Sequence, residues 1–104
     1  MVERIGTHVY EHHADGKFTV DGKTCYSIRF GWDEGGPESG PIFRGATDVV
    51  FADTASEAKE MWENHMGESL RSLEGWSEPY LSSREEIEQM EEDIAFFNEP
   101  LPFE

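Results

Sequence analysis

A single cysteine, Cys25, stands in the 104-residue chain, so no disulfide can close within it and no thiolate-rich zinc site can form. That usage suits a reducing compartment. No run of about eighteen apolar residues occurs, and the opening MVERIGTHVYEHH lacks the apolar centre of a secretory leader, so a soluble, cytoplasmic protein is expected. Basic residues are the next scarcity: three lysines and five arginines face 23 acidic residues, for a formal net charge of −15. Such a balance opposes direct binding to nucleic acid, where affinity comes from cations meeting phosphates. A phosphate-binding loop is missing too, because GWDEGGPESGP (31–41) is glycine-rich but acidic and lacks the lysine of such loops.

Apolar material is present in quantity. Hydrophobic residues make up 37% and aromatics 12%, including Trp32, Trp62 and Trp76, enough to offset chain entropy in one domain spanning 1–104. The first half reads as strands. TCYSIRFGW (24–32) alternates, with Tyr26, Ile28, Phe30 and Trp32 on one face and Cys25, Ser27, Arg29 and Gly31 on the other. FTV (18–20) joins it through DGK (21–23), where Asp-Gly signals a short hairpin. IGTHVYEHH (5–13) and TDVVFAD (47–53) are further strands, and the glycine- and proline-rich stretch 31–42 is an exposed loop.

The second half reads as helices. TASE (54–57) has capping-box spacing; beyond it Ala55, Ala58, Met61, Trp62, His65, Met66 and Leu73 share one side, with Glu57, Glu60, Glu63 and Glu68 opposite. Gly67 ends or bends this helix. EGWSEPYL (74–81) is a turn, and SREE (83–86) opens a helix to about Phe97 with Ile87, Met90, Ile94 and Phe97 as its stripe. Pro100 and Pro102 stop the helix in the tail 98–104. Strands over 1–53 followed by two acidic helices over 54–97 predict an α+β fold, an antiparallel sheet of three to four strands with both helices on one face.

The charge is unevenly spread. Residues 1–52 carry eight acids and five bases, a balance of −3, whereas 53–104 carry fifteen acids and three bases, a balance of −12. EEIEQMEED (85–93) holds six carboxylates and no lysine or arginine, although like charges a helical turn apart repel. Helical geometry sets Glu85, Glu88 and Glu92 opposite the apolar stripe, Glu86 and Asp93 on one flank and Glu91 on the other, all within reach of solvent. They span about 12 Å, a length over which duplex DNA presents about seven phosphates. These six, with Glu57, Glu60 and Glu63 and the aromatic Phe96 as an anchor, are the candidate partner-binding residues. Two other readings stand beside this one. A charge run can be a solvated face whose first-turn acids complement the helix dipole. Adaptation to high salt fits the low lysine content, but not the near-balanced first half or seventeen Glu against six Asp.

Other constellations carry less. His8 and His12 share a strand face about 13 Å apart, too far for one ion without ligands from a neighbouring strand, so neither a metal nor a cofactor is expected. His65 reads as a core residue. Cys25 with a histidine would make a nucleophile and base, but nothing near it in sequence supplies an activating cluster, and no pocket is signalled for paired carboxylates. A non-enzymatic protein is expected. Asp33, Glu34 and Glu38 belong to a turn that either contacts a cation weakly or simply links strands.

In size and in the charge of its second half, carried by EEIEQMEED and SEAKEMWENHMGE, the chain resembles small bacteriophage anti-defence proteins, among them DNA-mimic anti-CRISPR and anti-restriction inhibitors. No motif transfers a residue role. The resemblance implies stoichiometric inhibition of a basic nucleic-acid-binding partner, a nuclease, CRISPR effector or restriction enzyme, by occupying its DNA channel in the infected bacterial cytoplasm. The alternative is a self-associating or antitoxin-like module, a homodimer through the sheet or the Tyr26 and Trp32 strand, with acidity serving solubility.

Overall fold

Asp21 and Gly22 both take positive φ, 52° and 80°, the geometry in which a two-residue hairpin matches the twist of its strands. They link β3 (Phe18–Val20) to β4 (Lys23–Asp33). The computed structural model describes residues 1–98, with side chains through Phe96; Phe97 as a stripe residue and the proline tail lie outside the described residues. Ahead of β3, Gly6 at φ 61° turns the chain between β1 (Val2–Ile5) and β2 (His8–His12), so the strand expected over 5–13 is instead half of a hairpin. β5 (Phe43–Ala52), α1 (Ala55–Met66), a 3-10 turn (Gly67–Ser72), β6 (Leu73–Trp76), β7 (Tyr80–Leu81) and α2 (Arg84–Asn98) follow. Gly67, at φ 53°, ends α1. No helix is long and apolar enough to cross a membrane among the described residues.

All seven strands join one antiparallel sheet of order β1-β2-β3-β4-β5, and the fold is α+β. Along one edge of β4, β5 pairs from Thr24↔Ala52 to Asp33↔Phe43. The other edge is shared by β3 at Lys23 and Thr24, β7 at Tyr26 and Ser27, and β6 at Phe30 to Trp32. The sheet thus exceeds the three to four strands expected. β4 outruns the three-residue β3, and the backbone of its buried middle needs partners, which the supposed turn EGWSEPYL supplies as two short strands.

Strand alternation fixes what lies on each side. His8, Tyr10, Phe18, Val20, Cys25, Ser27, Val49 and Phe51 share one face, where Ile87 of α2 completes a core of Ile5, Tyr10, Phe18, Val20 and Cys25. Ile28, Phe30 and Asp48 point the other way. There Trp62 of α1, 1% exposed, sits 5.6 Å from the Phe30 ring and 5.8 Å from Trp76, and its indole N–H donates to Asp48 at 2.9 Å. The helices therefore cover opposite faces rather than one. Cys25, Ser27 and Ile28 are all 0% exposed, so β4 is buried on both sides. The small residues Cys25 and Ser27 let the chain before α2 close in, with the Ser27 and Ser82 hydroxyls 2.7 Å apart.

Trp62→Ala is expected to cost about 3–5 kcal/mol in urea unfolding, while Met61→Ala one residue away, 44% exposed, stays within about 0.5 kcal/mol. Equal effects would contradict this placement of α1.

Candidate functional site

Glu91, expected on the solvent side of α2, is 2% exposed. Its Oε1 accepts from the Thr7 amide at 2.9 Å and the Thr7 hydroxyl at 2.6 Å; its Oε2 accepts from His8 Nδ1 at 2.6 Å and from the Tyr10 hydroxyl. Ile87 and Glu91 lie one turn apart on a single line, so α2 is rolled toward the β1–β2 hairpin, leaving Met90 and Ile94 only half-buried. Periodicity counts a glutamate as a solvent residue; four donors at the hairpin end reverse that. Gly6 makes the approach possible, since a Cβ there would meet the Glu91 Cβ at 2.6 Å. Burial pushes the Glu91 carboxyl upward, but the bonds from Thr7, Tyr10 and His8 outweigh it and hold the carboxyl at about 2. The same contact, behind burial as the larger cause, raises Tyr10 well above the ordinary phenol value.

Glu86 is also spent on structure. It accepts from the Ser83 amide at 2.9 Å while Ser83 Oγ accepts from the Glu86 amide at 3.2 Å, completing the capping box that SREE announced. Tyr80 donates to its second oxygen at 2.5 Å. Burial opposes its charge, yet these bonds keep its carboxyl below the usual value. Arg84, the one cation of α2, forks onto Glu3 of β1 and lies over the Phe18 ring at 5.5 Å.

Glu85, Glu88, Glu92, Asp93 and Phe96 remain on the surface, Phe96 at 76% exposure. Among the described residues no lysine or arginine ion-pairs with these four carboxylates; Asp93 accepts from Gln89 at 3.2 Å. They occupy about 12 Å of axis, one charge per about 3–4 Å, close to the about 3.4 Å of a single DNA strand. On α1, Glu60 is exposed and Glu57 and Glu63 half-buried, with Thr54 Oγ1 accepting from the Glu57 amide at 3.1 Å. Because α1 lies across the sheet, its acids do not extend the α2 surface. The acids of the two helices, expected on one side of the sheet, lie on opposite sides.

The remaining candidates are occupied elsewhere. His8 belongs to Glu91, and His12 stacks on Phe18 with ring centroids 4.1 Å apart. His65 is exposed, not core. Among the described residues no three His, Cys, Asp or Glu side chains converge as a metal set. Cys25 is fully buried, and burial first, then the Glu91 charge, pushes its thiol up to about 12. In the acidic loop, Asp33 Oδ1 accepts from the Gly35 and Ile42 amides, both at 2.8 Å, while Glu34 accepts from Trp32 Nε1 at 2.9 Å and Arg44 Nε at 3.2 Å. Two of the loop's three acids thus brace it. Thr7, His8 and Tyr10, which hold α2 in place, carried no local signal, being more than 80 positions from Glu91.

The Glu91 contact makes stability depend on pH. Its folded carboxyl lies below the ordinary 4.5, so the stabilisation, about 3 kcal/mol, is present above that pH and lost as pH falls toward about 2. Glu91→Gln is expected to lower unfolding free energy by about that amount at pH 7, the gap from wild type closing between about pH 4.5 and 2. A gap that stays constant across the range would contradict the assignment.

No protein-family model matches the chain, and neither a curated protein nor a solved structure matches it.

Proposed function

We propose that the protein is a non-enzymatic inhibitor that presents the outer ridge of α2 to a basic, nucleic-acid-binding surface of a bacterial defence complex. The observation that carries this reading is the run of Glu85, Glu88, Glu92 and Asp93, exposed and without a basic ion-pair partner among the described residues, on a chain of net charge −15. The resemblance to bacteriophage anti-defence inhibitors supports the choice of target and of the infected bacterial cytoplasm as the setting. Glu86 and Glu91 act as positioning residues: they fix the helix on which the four others are displayed.

The mechanism is electrostatic occupation. Like charges on one helix repel, but a partner that brings lysines and arginines relieves the repulsion as it binds, and the long-range field speeds encounter. Phe96, 76% exposed, lies beside the ridge one helical turn beyond Glu92. Self-association through the aromatic strand finds less support, because both edges of β4 already carry partners.

The test is capture of partners from bacterial lysates on the tagged protein at low and at doubled salt. Recovery of a nuclease or CRISPR complex, lost at the higher salt and displaced by duplex DNA, is the expected result. Glu88→Lys with Glu92→Lys should weaken that complex by about tenfold or more with the fold intact. Undiminished binding by the doubly reversed protein would overturn the reading.

A further inference from the structure

The outer edge of β5 is ten residues long, and among the described residues no strand pairs with it. Natural sheets blunt such edges with lysine, proline or bulges. FRGATDVVFA contains neither lysine nor proline, and its Arg44 is tied to Glu34.

A cleft of about 720 Å³ runs along this edge from Thr47 to Phe51, walled by Met61 and His65 of α1 on one side and Met90, Asp93 and Ile94 of α2 on the other. It continues past Ala46 into a recess of about 330 Å³ beside Glu85 and Glu86. The wall residues are informative because Met61, His65, Met90 and Ile94 all fall on helix faces whose periodicity assigns them to the core. Met61 is 44% exposed, and the roll of α2 that buries Glu91 leaves Met90 and Ile94 at the cleft. Two helices thus hold apolar side chains on either side of an unpaired strand.

We propose that this edge is a strand-addition site for an extended peptide segment of alternating apolar and basic residues. Main-chain bonds to β5 would give affinity, and the two walls would read alternate side chains. Apolar side chains meet the α1 wall. On the α2 wall, lysine or arginine stems lie over Met90 and Ile94 and carry their charges to Asp93 and Glu85. A second copy of the chain is a poorer occupant, because each copy carries −15 and its own β5 lies in the same recess between helices. The tail EPLPFE is poorer still: its two prolines lack amide donors, and its two glutamates would face carboxylates. This site shares Glu85 and Asp93 with the outer ridge but not Glu88 and Glu92. Glu88 and Glu92 line the opposite flank of α2, beside Ile5 and Gly6.

The test uses the full chain and an acetylated, amidated octapeptide of alternating valine and lysine, with binding read by calorimetry and hydrogen exchange at the amides of residues 47–51. Two analogues are N-methylated, one on every valine and one on every lysine. In an added antiparallel strand only one residue set points its amides at β5, so one analogue should lose binding and the other keep it. Glu85→Lys with Asp93→Lys should weaken the peptide by about tenfold, whereas Glu88→Lys with Glu92→Lys should change it by less than about threefold. That contrast separates this site from the ridge. Four results would each overturn the proposal: equal binding by both analogues, no slowed exchange at 47–51, β5 protection through a dimer seen by light scattering, or peptide binding only after residues 99–104 are removed.

Discussion

A buried, ionised carboxylate is the contact on which the rest of this molecule turns. Glu91 sits in the core face of α2, held by an amide, two hydroxyls and an imidazole from one hairpin end, with no lysine or arginine paired to it among the described residues. A charge removed from water is costly unless its lone pairs are filled, and here four donors fill them. Because those donors come from residues 7 to 10, the helix is clamped to the start of the chain, with Arg84 and Glu3 making a second tie one helical turn before Ile87. The mutual repulsion of the outward acids is opposed by these ties, and Arg84 also attracts Glu88 one turn on.

The clamp has a geometric consequence as well. Spending the 87–91 line on the hairpin rotates Met90 and Ile94 away from the centre of the core, and α1, on the other side of the sheet, likewise buries only Ala58 and Trp62 of its apolar stripe. The two helices instead bracket the edge of β5 that no strand pairs among the described residues. The sheet, buried on both faces around β4, separates their acidic surfaces. On α2 itself, Glu85 and Asp93 border the cleft along β5, while Glu88 and Glu92 lie on the other flank beside Ile5 and Gly6.

Much of the local structure was legible. The Asp-Gly hairpin, both helix starts, the break at Gly67 and the alternation of 24–32 rest on residues within a few positions of one another, where backbone and capping chemistry act, although Leu73, counted with the α1 stripe, belongs to β6. What escaped was decided across the sequence. No periodicity announces that Glu91 will find Thr7, and a small residue such as Cys25 or Ser27 reads equally as a solvent position or as a place where another segment approaches. β6 and β7 are too short to show a pattern, and exist because β4 had an edge to fill. Of the candidate site, Glu85, Glu88, Glu92, Asp93 and Phe96 stand on the surface; Glu91 is buried and Glu86 half-buried, because their oxygens are worth more to the fold than to solvent.

The most direct measurement is a carboxyl-carbon NMR titration of glutamate-labelled protein, with the Glu91 resonance assigned by its absence in Glu91→Gln. A midpoint at about 2 is expected, with the Thr7 amide shifting over the same range. A Glu91 midpoint at the ordinary 4.5, or a Thr7 amide indifferent to it, would mean that the clamp is not made and that α2 is placed by something else.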